Sequence, residues 1–306
     1  MIQDAIIRLL SEFVGPSNVY LHEPMSKHTT FRIGGPADVL IEPSESSQIE
    51  AVCRTLRQLE IPFIVLGNGS NVLVGDQGIR GVVVKLGNAF SSCHREEDTL
   101  LHAKAGIKLS RLAAYALDNS LTGLEFAAGI PGTLGGALYM NAGAYGGEMS
   151  QVVEEVSYLN EEGKVATIRG GNCQFGYRTS IFAENPDYVI LGCTIRLQEG
   201  NPDEIRATMD DLAQRRLDKQ PLNFPSAGST FKRPEGAFAG KLIQDAGLMG
   251  LRIGGASVSE KHAGFVVNDK KATAKDVRDL IYLVQEKVKE SSGFILEPEV
   301  RMIGEF

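Results

Sequence analysis

Four stretches of the chain combine polar, reactive side-chain types with irregular backbone. "FGYRTSIF" carries Tyr177, Arg178 and Ser180; "SAGSTFKRP" carries Ser229, Lys232 and Arg233; "LEPEVR" carries Glu297, Glu299 and Arg301. Each also has a plain reading: Arg178 as a surface cation, Ser229 as a turn residue after Gly228, Glu299 as an exposed strand carboxylate. The fourth stretch, "GNGSNVLVGDQG" (67–78), looks like a phosphate-holding loop. It completes neither common version. Val72 stands where the dinucleotide pattern G-x-G-x-x-G needs its third glycine, and no Gly-Lys-Ser/Thr ending occurs in the chain. Other catalytic sets fail. There is no G-x-S-x-G elbow, and the five histidines show no H-E-x-x-H or close metal pairing, so no metal site is expected. His94 and His102 flank a charged "REED" run and read as solvated, and His262 reads as a turn residue ahead of a strand.

The elements that must hold these stretches can be read from apolar periodicity. Ile2, Ala5, Ile6, Leu9, Leu10 and Phe13 form a helical stripe. Ser47 and Glu50 suggest a capping box for a helix with Ile49, Val52, Cys53, Leu56 and Leu59 on its apolar face. "FIVLG" is then a buried strand feeding the glycine loop, and "GVVVKL" (81–86) is the next strand, a β-α-β layout. "LLHAKAG" reads as a strand and Leu109, Leu112, Ala113, Ala116 and Leu117 as a helix face. Eight of the 26 residues in "GLEFAAGIPGTLGGALYMNAGAYGGE" (123–148) are glycine. The Leu, Ile, Phe, Tyr and Met among them argue against a flexible linker. Close approach of the backbone to something large and flat accounts for them better. Strands follow at "VVEEVSYLN", "KVATIRG" and "DYVILGCTIRL". Asn201-Pro202 opens a helix to about Lys219. Three prolines in 221–234 mark a domain boundary. Val277, Leu280, Ile281, Val284 and Val288 mark an amphipathic helix that Gly293 ends, and "FILEPEVRMIG" reads as a strand interrupted by Pro298.

The 306 residues suggest two or three domains, and 43% hydrophobic with 23% charged residues is ordinary for a soluble globular protein. A net charge of -7 disfavours a broad nucleic-acid surface, so an anionic ligand must be met by a few placed cations and by backbone N–H groups. Cys53, Cys93, Cys173 and Cys193 have no C-x-x-C spacing and read as reduced thiols. No apolar run reaches the ~20 residues that span a bilayer. The expectation is a cytoplasmic protein without membrane insertion.

"TFRIGGPA", "VLGNGSNVLV", "AGIPGTLGGALYMNAGAYGGE", "YRTS", "GSTFKRP", "AGKLIQDAGLMG", "HAGFVVN" and "LEPEVR" occur in this order over residues 28 to 305. In register, they resemble the bacterial UDP-N-acetylenolpyruvoylglucosamine reductase family of peptidoglycan-precursor enzymes. The resemblance implies an α+β fold of the vanillyl-alcohol oxidase kind: a two-lobed FAD-binding domain plus a C-terminal α+β substrate-binding domain. The expected division is 1–80 for the first lobe, rejoined by 300–306, then 81–218 for the second lobe and 219–299 for the substrate domain. It also implies noncovalent FAD, reduced by NADPH, which then reduces the enolpyruvyl group to give UDP-N-acetylmuramate. The ligands are that substrate and NADPH, with no nucleic acid and a monomer favoured.

The resemblance carries roles to individual residues. Reduction adds hydride at the far carbon of a vinyl ether conjugated to a carboxylate, so charge builds on the carboxylate oxygens. Arg178 would stabilise that charge through its bidentate fork, and Glu299 would assist if it keeps or shares a proton. Ser229 would deliver the completing proton, which requires activating neighbours. Tyr177, Lys219, Lys232 and Arg233 would meet the substrate. Gly67, Asn68, Gly69, Ser70 and Asn71 would wrap the FAD pyrophosphate, consecutive amides making an anion nest without a helix N-terminus. Gly129, Pro131, Gly132, Gly135, Gly136, Asn141, Ala142 and Gly143 complete the implied cofactor set. Only nine residues separate Arg178 from Tyr188-Val189-Ile190, which leaves no room for the inserted lid loop of one subgroup. Two other classes remain: an FAD oxidase or dehydrogenase of a small alcohol on the same fold, and a non-catalytic nucleotide-binding protein.

Overall fold

The computed structural model describes residues 2–306. Its N-terminal sheet has four strands in the order Val19–Pro24, Pro36–Ile41, Ile79–Lys85 and Phe63–Leu66. The first pair is antiparallel and the other two are parallel. Side-chain alternation splits the sheet between two cores. Val39, Ile41, Val82 and Val84 pack with Leu10 of the helix Asp4–Val14 and with Ile49, Val52 and Leu56 of the helix Ser46–Gln58. Leu40 and Val83 turn the other way, onto Met25, Leu66 and Val74. The first lobe therefore runs past the division expected at residue 80. That point falls inside Ile79–Lys85, a strand paired on both sides and inseparable from the sheet.

The expected Ser47/Glu50 capping box is also corrected. The helix starts at Ser46, and Gln48 Oε1 accepts from the N–H groups of Ser44 and Glu45 at 2.8 and 3.2 Å. Glu50 instead pairs with Arg54 one turn on.

The second lobe is a five-stranded antiparallel sheet ordered Val165–Arg169, Val153–Leu159, Val189–Arg196, Leu100–Lys104, Cys93–Glu97. The helices Leu109–Asp118 and Leu134–Tyr139 contribute to its core. His94 and His102 face each other across the last strand pair, ring centroids 5.3 Å apart. His102 is half-buried and not solvated as expected; burial, then the His94 ring, lowers its pKa.

The glycine-rich stretch is ordered structure: a 3₁₀ turn at Glu125–Ala127, the short helix, and a hairpin pairing Gly143–Ala144 with Gly147–Glu148. Part of its glycine content serves packing within the protein. A Cβ on Gly147 would stand 2.6 Å from the Phe126 ring.

The C-terminal unit packs Val277, Leu280, Ile281, Val284 and Val288 of the helix Ala274–Ser292 against a small sheet of Arg252–Ile253, Ala256–Val258 and Val266–Asn268. Gly293 ends the helix in the left-handed conformation, φ 76°. The tail is less of a strand than expected. Pro298, lacking an N–H, makes one isolated bridge to Phe231. Only Arg301–Ile303 forms a ladder, parallel to Val72–Val74 after the glycine loop. Asp76 adds a second tie, accepting from the N–H groups of Ala274 and Lys275 at 2.8 and 3.0 Å.

Candidate active site

Two clefts meet in the molecule. The larger, about 760 Å³, runs from the glycine loop to the C-terminal tail; the smaller, about 370 Å³, lies against the C-terminal unit. Arg178 and Glu299 line both.

The pair is built from distant parts of the chain. Tyr177 and Arg178 form the tip of a two-residue turn closed by the reciprocal bonds of Gly176 and Thr179. Arg178 adopts φ 57°, a conformation that costs a non-glycine residue about 1–2 kcal/mol. Glu299 is threaded between two segments: its N–H donates to the Thr230 carbonyl at 2.8 Å, and its carbonyl accepts from Asn71 Nδ2 at 3.1 Å. Arg178 Nε then donates to Glu299 Oε1 at 2.8 Å, with the carboxylate side chain 10% exposed. Burial raises the Glu299 pKa, opposed by the charge and hydrogen bond of Arg178 and by the charge of Lys232. The carboxyl thus holds its proton to higher pH than an ordinary glutamate.

The smaller cleft gathers Tyr177, Ser229 and Arg233 with that pair. Ser229 is exposed to the cleft, just before the buried Thr230, whose N–H donates to the Gly264 carbonyl at 2.8 Å. Tyr177 is 58% exposed, and its hydroxyl accepts from the Arg233 N–H at 3.0 Å. The Arg233 guanidinium lies 4.0 Å from the Phe238 ring centroid. Lys241, which pairs with Asp245 one turn on, and Lys261 bring cationic side chains to this cleft that sequence reasoning did not assign, although Lys241 lies inside the quoted "AGKLIQDAGLMG". Lys261 Nζ donates to the Leu217 carbonyl at 2.6 Å, which ties the end of the helix Pro202–Lys219 to this rim. Lys219 itself is exposed at that helix end and lines neither cleft. Lys232 lies on the larger cleft, paired with Glu297 at 2.8 Å. His262 lines the smaller cleft as a satisfied turn residue, its Nδ1 accepting from the Gly264 N–H.

The larger cleft is lined by Gly67, Asn68, Gly69, Ser70 and Asn71, by Gly132, Gly135 and Gly136, and by Ala142. Gly129, Pro131, Asn141 and Gly143 of the implied cofactor set do not line it. The Pro131 carbonyl accepts from Asn68 Nδ2, Gly129 packs under the Arg216 side chain, Gly143 sits in the hairpin, and Asn141 is only 2% exposed. Thr133, Tyr139 and Arg301 line it without having been singled out for it. Thr133 is brought there by a tertiary contact that leaves no trace in the sequence: a Cβ at Gly67 would strike its hydroxyl. The Arg301 guanidinium contacts the Tyr139 hydroxyl and lies 4.7 Å from the ring centroid.

This cleft suits a flavin dinucleotide on two counts. Among the described residues, the N–H groups of Asn68, Gly69, Ser70 and Asn71 donate to no protein acceptor, a run of amides shaped for an anion. Gly132 and Gly136 are glycines that the protein's own packing does not demand. A Cβ on either meets nothing closer than 3.6 Å, so what their lack of a side chain keeps open is the cleft. Ile130, Leu109, Tyr188 and Ile190 supply an apolar wall. Between Arg178 and Tyr188 the chain makes one helical turn, Ile181–Glu184, and enters the strand Val189–Arg196.

The family model for the C-terminal domain of UDP-N-acetylenolpyruvoylglucosamine reductase matches residues 220–303, and that of an FAD binding domain matches 37–169. The UDP-N-acetylenolpyruvoylglucosamine reductase of Clostridioides difficile (strain 630) is 50% identical over 303 residues, 99% of each chain. That of Lachnoclostridium phytofermentans is 49% identical over 305 residues, 99% of this chain and 98% of the relative. The crystal structure of the Thermus caldophilus reductase superposes with TM-score 0.79 at 34% identity, covering 93% of this chain and 97% of that one. Alkyldihydroxyacetonephosphate synthase, at TM-score 0.51 and 12% identity over 65% of this chain and 41% of its own, shares the fold alone. The chain belongs to the UDP-N-acetylenolpyruvoylglucosamine reductase family.

Proposed function

We infer that the protein is an FAD-containing, NADPH-dependent oxidoreductase that reduces the enolpyruvyl group of UDP-N-acetylenolpyruvoylglucosamine to UDP-N-acetylmuramate. The observation that carries this reading is the Arg178–Glu299 pair, common to the FAD cleft and the smaller cleft. A reaction between two bound molecules needs its charge-stabilising groups where their sites touch.

In this reading, FAD bound in the larger cleft and reduced by NADPH supplies a hydride equivalent to the far carbon of the enolpyruvyl group. The residues of the chain do the rest. The free amides of 68–71 and Ser70 hold the FAD pyrophosphate, while Gly132 and Gly136 leave room for it. Arg233, Lys241 and Lys261 provide charge for the diphosphate of the substrate in a protein whose overall charge is -7. Lys219, outside both clefts, reaches the substrate only if its long side chain folds over the rim. Arg178 neutralises the charge that develops on the enolpyruvyl carboxylate. Glu299, whose burial lets its carboxyl keep a proton to higher pH than an ordinary glutamate, offers a hydrogen bond in its protonated form in place of a repelling anion. Ser229 delivers the proton to the α-carbon from the open side of the cleft. Among the described residues no side chain hydrogen-bonds the Ser229 hydroxyl, which stands open to the smaller cleft.

The test is an anaerobic two-step experiment. The purified protein is yellow, NADPH bleaches it, and the enolpyruvyl substrate restores the colour. A colourless protein that cannot be reconstituted with FAD would sink the reading. So would a reduced protein that the substrate leaves bleached.

A further inference from the structure

Asn141 lies in the glycine-rich stretch, outside both clefts and 2% exposed. It is in the left-handed region, φ 44°, and so is Arg178 at φ 57°. Two such non-glycine residues persist only where the surroundings over-determine them. What determines Asn141 is its carboxamide. Nδ2 donates to the Gly176 carbonyl at 3.2 Å, and Oδ1 accepts from the Ser150 N–H at 2.9 Å. Gly176 is the residue that closes the turn bearing Arg178. A second strap holds the far stem of that turn: buried Ser180 donates from Oγ to the Tyr139 carbonyl at 2.8 Å. Both straps come from the C-terminal end of one short helix, Leu134–Tyr139, which lines the FAD cleft along Gly135, Gly136, Ala137 and Tyr139.

We propose that Asn141 is a positioning residue for Arg178: its carboxamide clamps the Gly176 carbonyl to the hairpin and so aims the guanidinium at the junction of the two clefts. This rests on the functional reading above for what Arg178 does, but the clamp is a feature of the fold. The hairpin supplies its own support. Ser150 also donates to the Glu148 carboxylate, and that bond, with the Asn141 amide close by, holds the carboxylate below its ordinary range. The glycine-rich stretch thus has two functions on its two sides. Gly132 and Gly136 keep the cofactor cleft open, and Asn141 fixes the turn behind it.

Asn141→Gly isolates the side chain, because glycine keeps the left-handed backbone while both carboxamide bonds are lost. The expected result is normal FAD content, with reoxidation of the NADPH-reduced holoenzyme by substrate slowed on the order of tenfold to a hundredfold, the range a misplaced charge-stabilising group produces. In an Arg178→Ala background the same substitution causes no further slowing, since the two act as a unit. Hydrogen exchange of peptides covering 174–179 accelerates in Asn141→Gly with flavin bound. Loss of FAD with unchanged reoxidation in the flavin-loaded fraction overturns the proposal in favour of a cofactor contact. An equal loss in the Arg178→Ala background, or unchanged exchange over 174–179, overturns it as well. If Asn141→Gly does not fold, Asn141→Ser, whose short side chain does not reach the Gly176 carbonyl and adds no charge beside Glu148, carries the same predictions. Wild-type protein that the substrate cannot reoxidise defeats the functional reading, while the exchange measurement, which needs no turnover, still decides the clamp.

Discussion

Arg178 Nε stands 2.8 Å from Glu299 Oε1, and this one contact joins a turn of the second lobe to the tail that re-enters the first. Their sequence separation of 121 is closed by fold, not by local geometry. In the functional reading the guanidinium meets charge that exists only as the substrate is being reduced. Arg178→Ala should therefore lower kcat by about a hundredfold or more, with a smaller rise in KM, as removal of a transition-state donor does. Arg178→Lys should recover only part of the loss, because an ammonium keeps the charge without the planar fork. Steady-state kinetics on both variants check this; a normal kcat in Arg178→Ala removes Arg178 from the chemistry.

Glu299 gives a pH prediction with a definite sign. Burial raises its pKa in the folded protein, so the folded state binds that proton more tightly than the unfolded chain. Its contribution to stability is complete at low pH and is lost as pH rises through the folded pKa. Glu299→Gln stays neutral and loses this dependence. Thermal melting from about pH 4 to about pH 8 should show wild type falling relative to Glu299→Gln as the pH rises, with the change lying above the ordinary carboxylate range. Parallel curves would mean that Glu299 titrates as an ordinary surface acid.

The glycines facing the cleft separate binding from folding. Gly136 lies in the helix Leu134–Tyr139, and a Cβ there finds only Thr133 Oγ1 at 3.8 Å. Gly136→Leu should be tolerated by the apoprotein, since a helix-forming residue replaces glycine with a gain of up to about 1 kcal/mol. The same side chain enters the cleft, so the purified variant should be colourless. Absorbance at the flavin band and a melt of the apoprotein decide it. A yellow variant means that the FAD does not pass over Gly136.

Much of this fold is written in periodicity. The apolar faces of Ser46–Gln58, Leu109–Asp118 and Ala274–Ser292 fall where their spacing puts them, because each helix buries one continuous stripe, except that Leu59, expected on the first, lies just past the helix end and is 49% exposed. The lobe boundary at residue 80 was misplaced for the same kind of reason. A strand buried on both faces reads as a uniform apolar run, and nothing local in "IRGVVVK" says which sheet owns it. The residues of the candidate site are named through motif resemblance and much less through local chemistry. Arg178, Ser229 and Glu299 share a cleft, but the tie between them is tertiary and leaves no spacing to read. Asn141 shows the limit best. Its neighbours in sequence suggest a cofactor contact, while its left-handed backbone turns its carboxamide away from the cleft and onto the turn of Arg178.

Asp76 provides the last prediction, and it concerns how the C-terminal unit is held to the first lobe. The N-terminus of the helix Ala274–Ser292 has its own capping box, in which Thr273 accepts from the Asp276 N–H at 3.0 Å and Asp276 from the Thr273 N–H at 3.0 Å. That leaves the N–H groups of Ala274 and Lys275, and both go to the carboxylate of Asp76, 198 and 199 residues away. A carboxylate at this end is also favoured by the helix dipole. Asp76→Ala should cost about 1–2 kcal/mol of stability, the upper range for loss of a helix cap. Asp76→Asn, which keeps one acceptor and loses the charge, should cost less. Urea unfolding monitored by circular dichroism measures both. If Asp76→Ala unfolds at the wild-type midpoint, the contact contributes nothing. In that case the parallel pairing of Arg301–Ile303 with Val72–Val74, the Thr30–Ser226 and Asn268–Phe31 hydrogen bonds and the packing of Phe31, Ile33 and Leu73 into the C-terminal core hold the two units together without it.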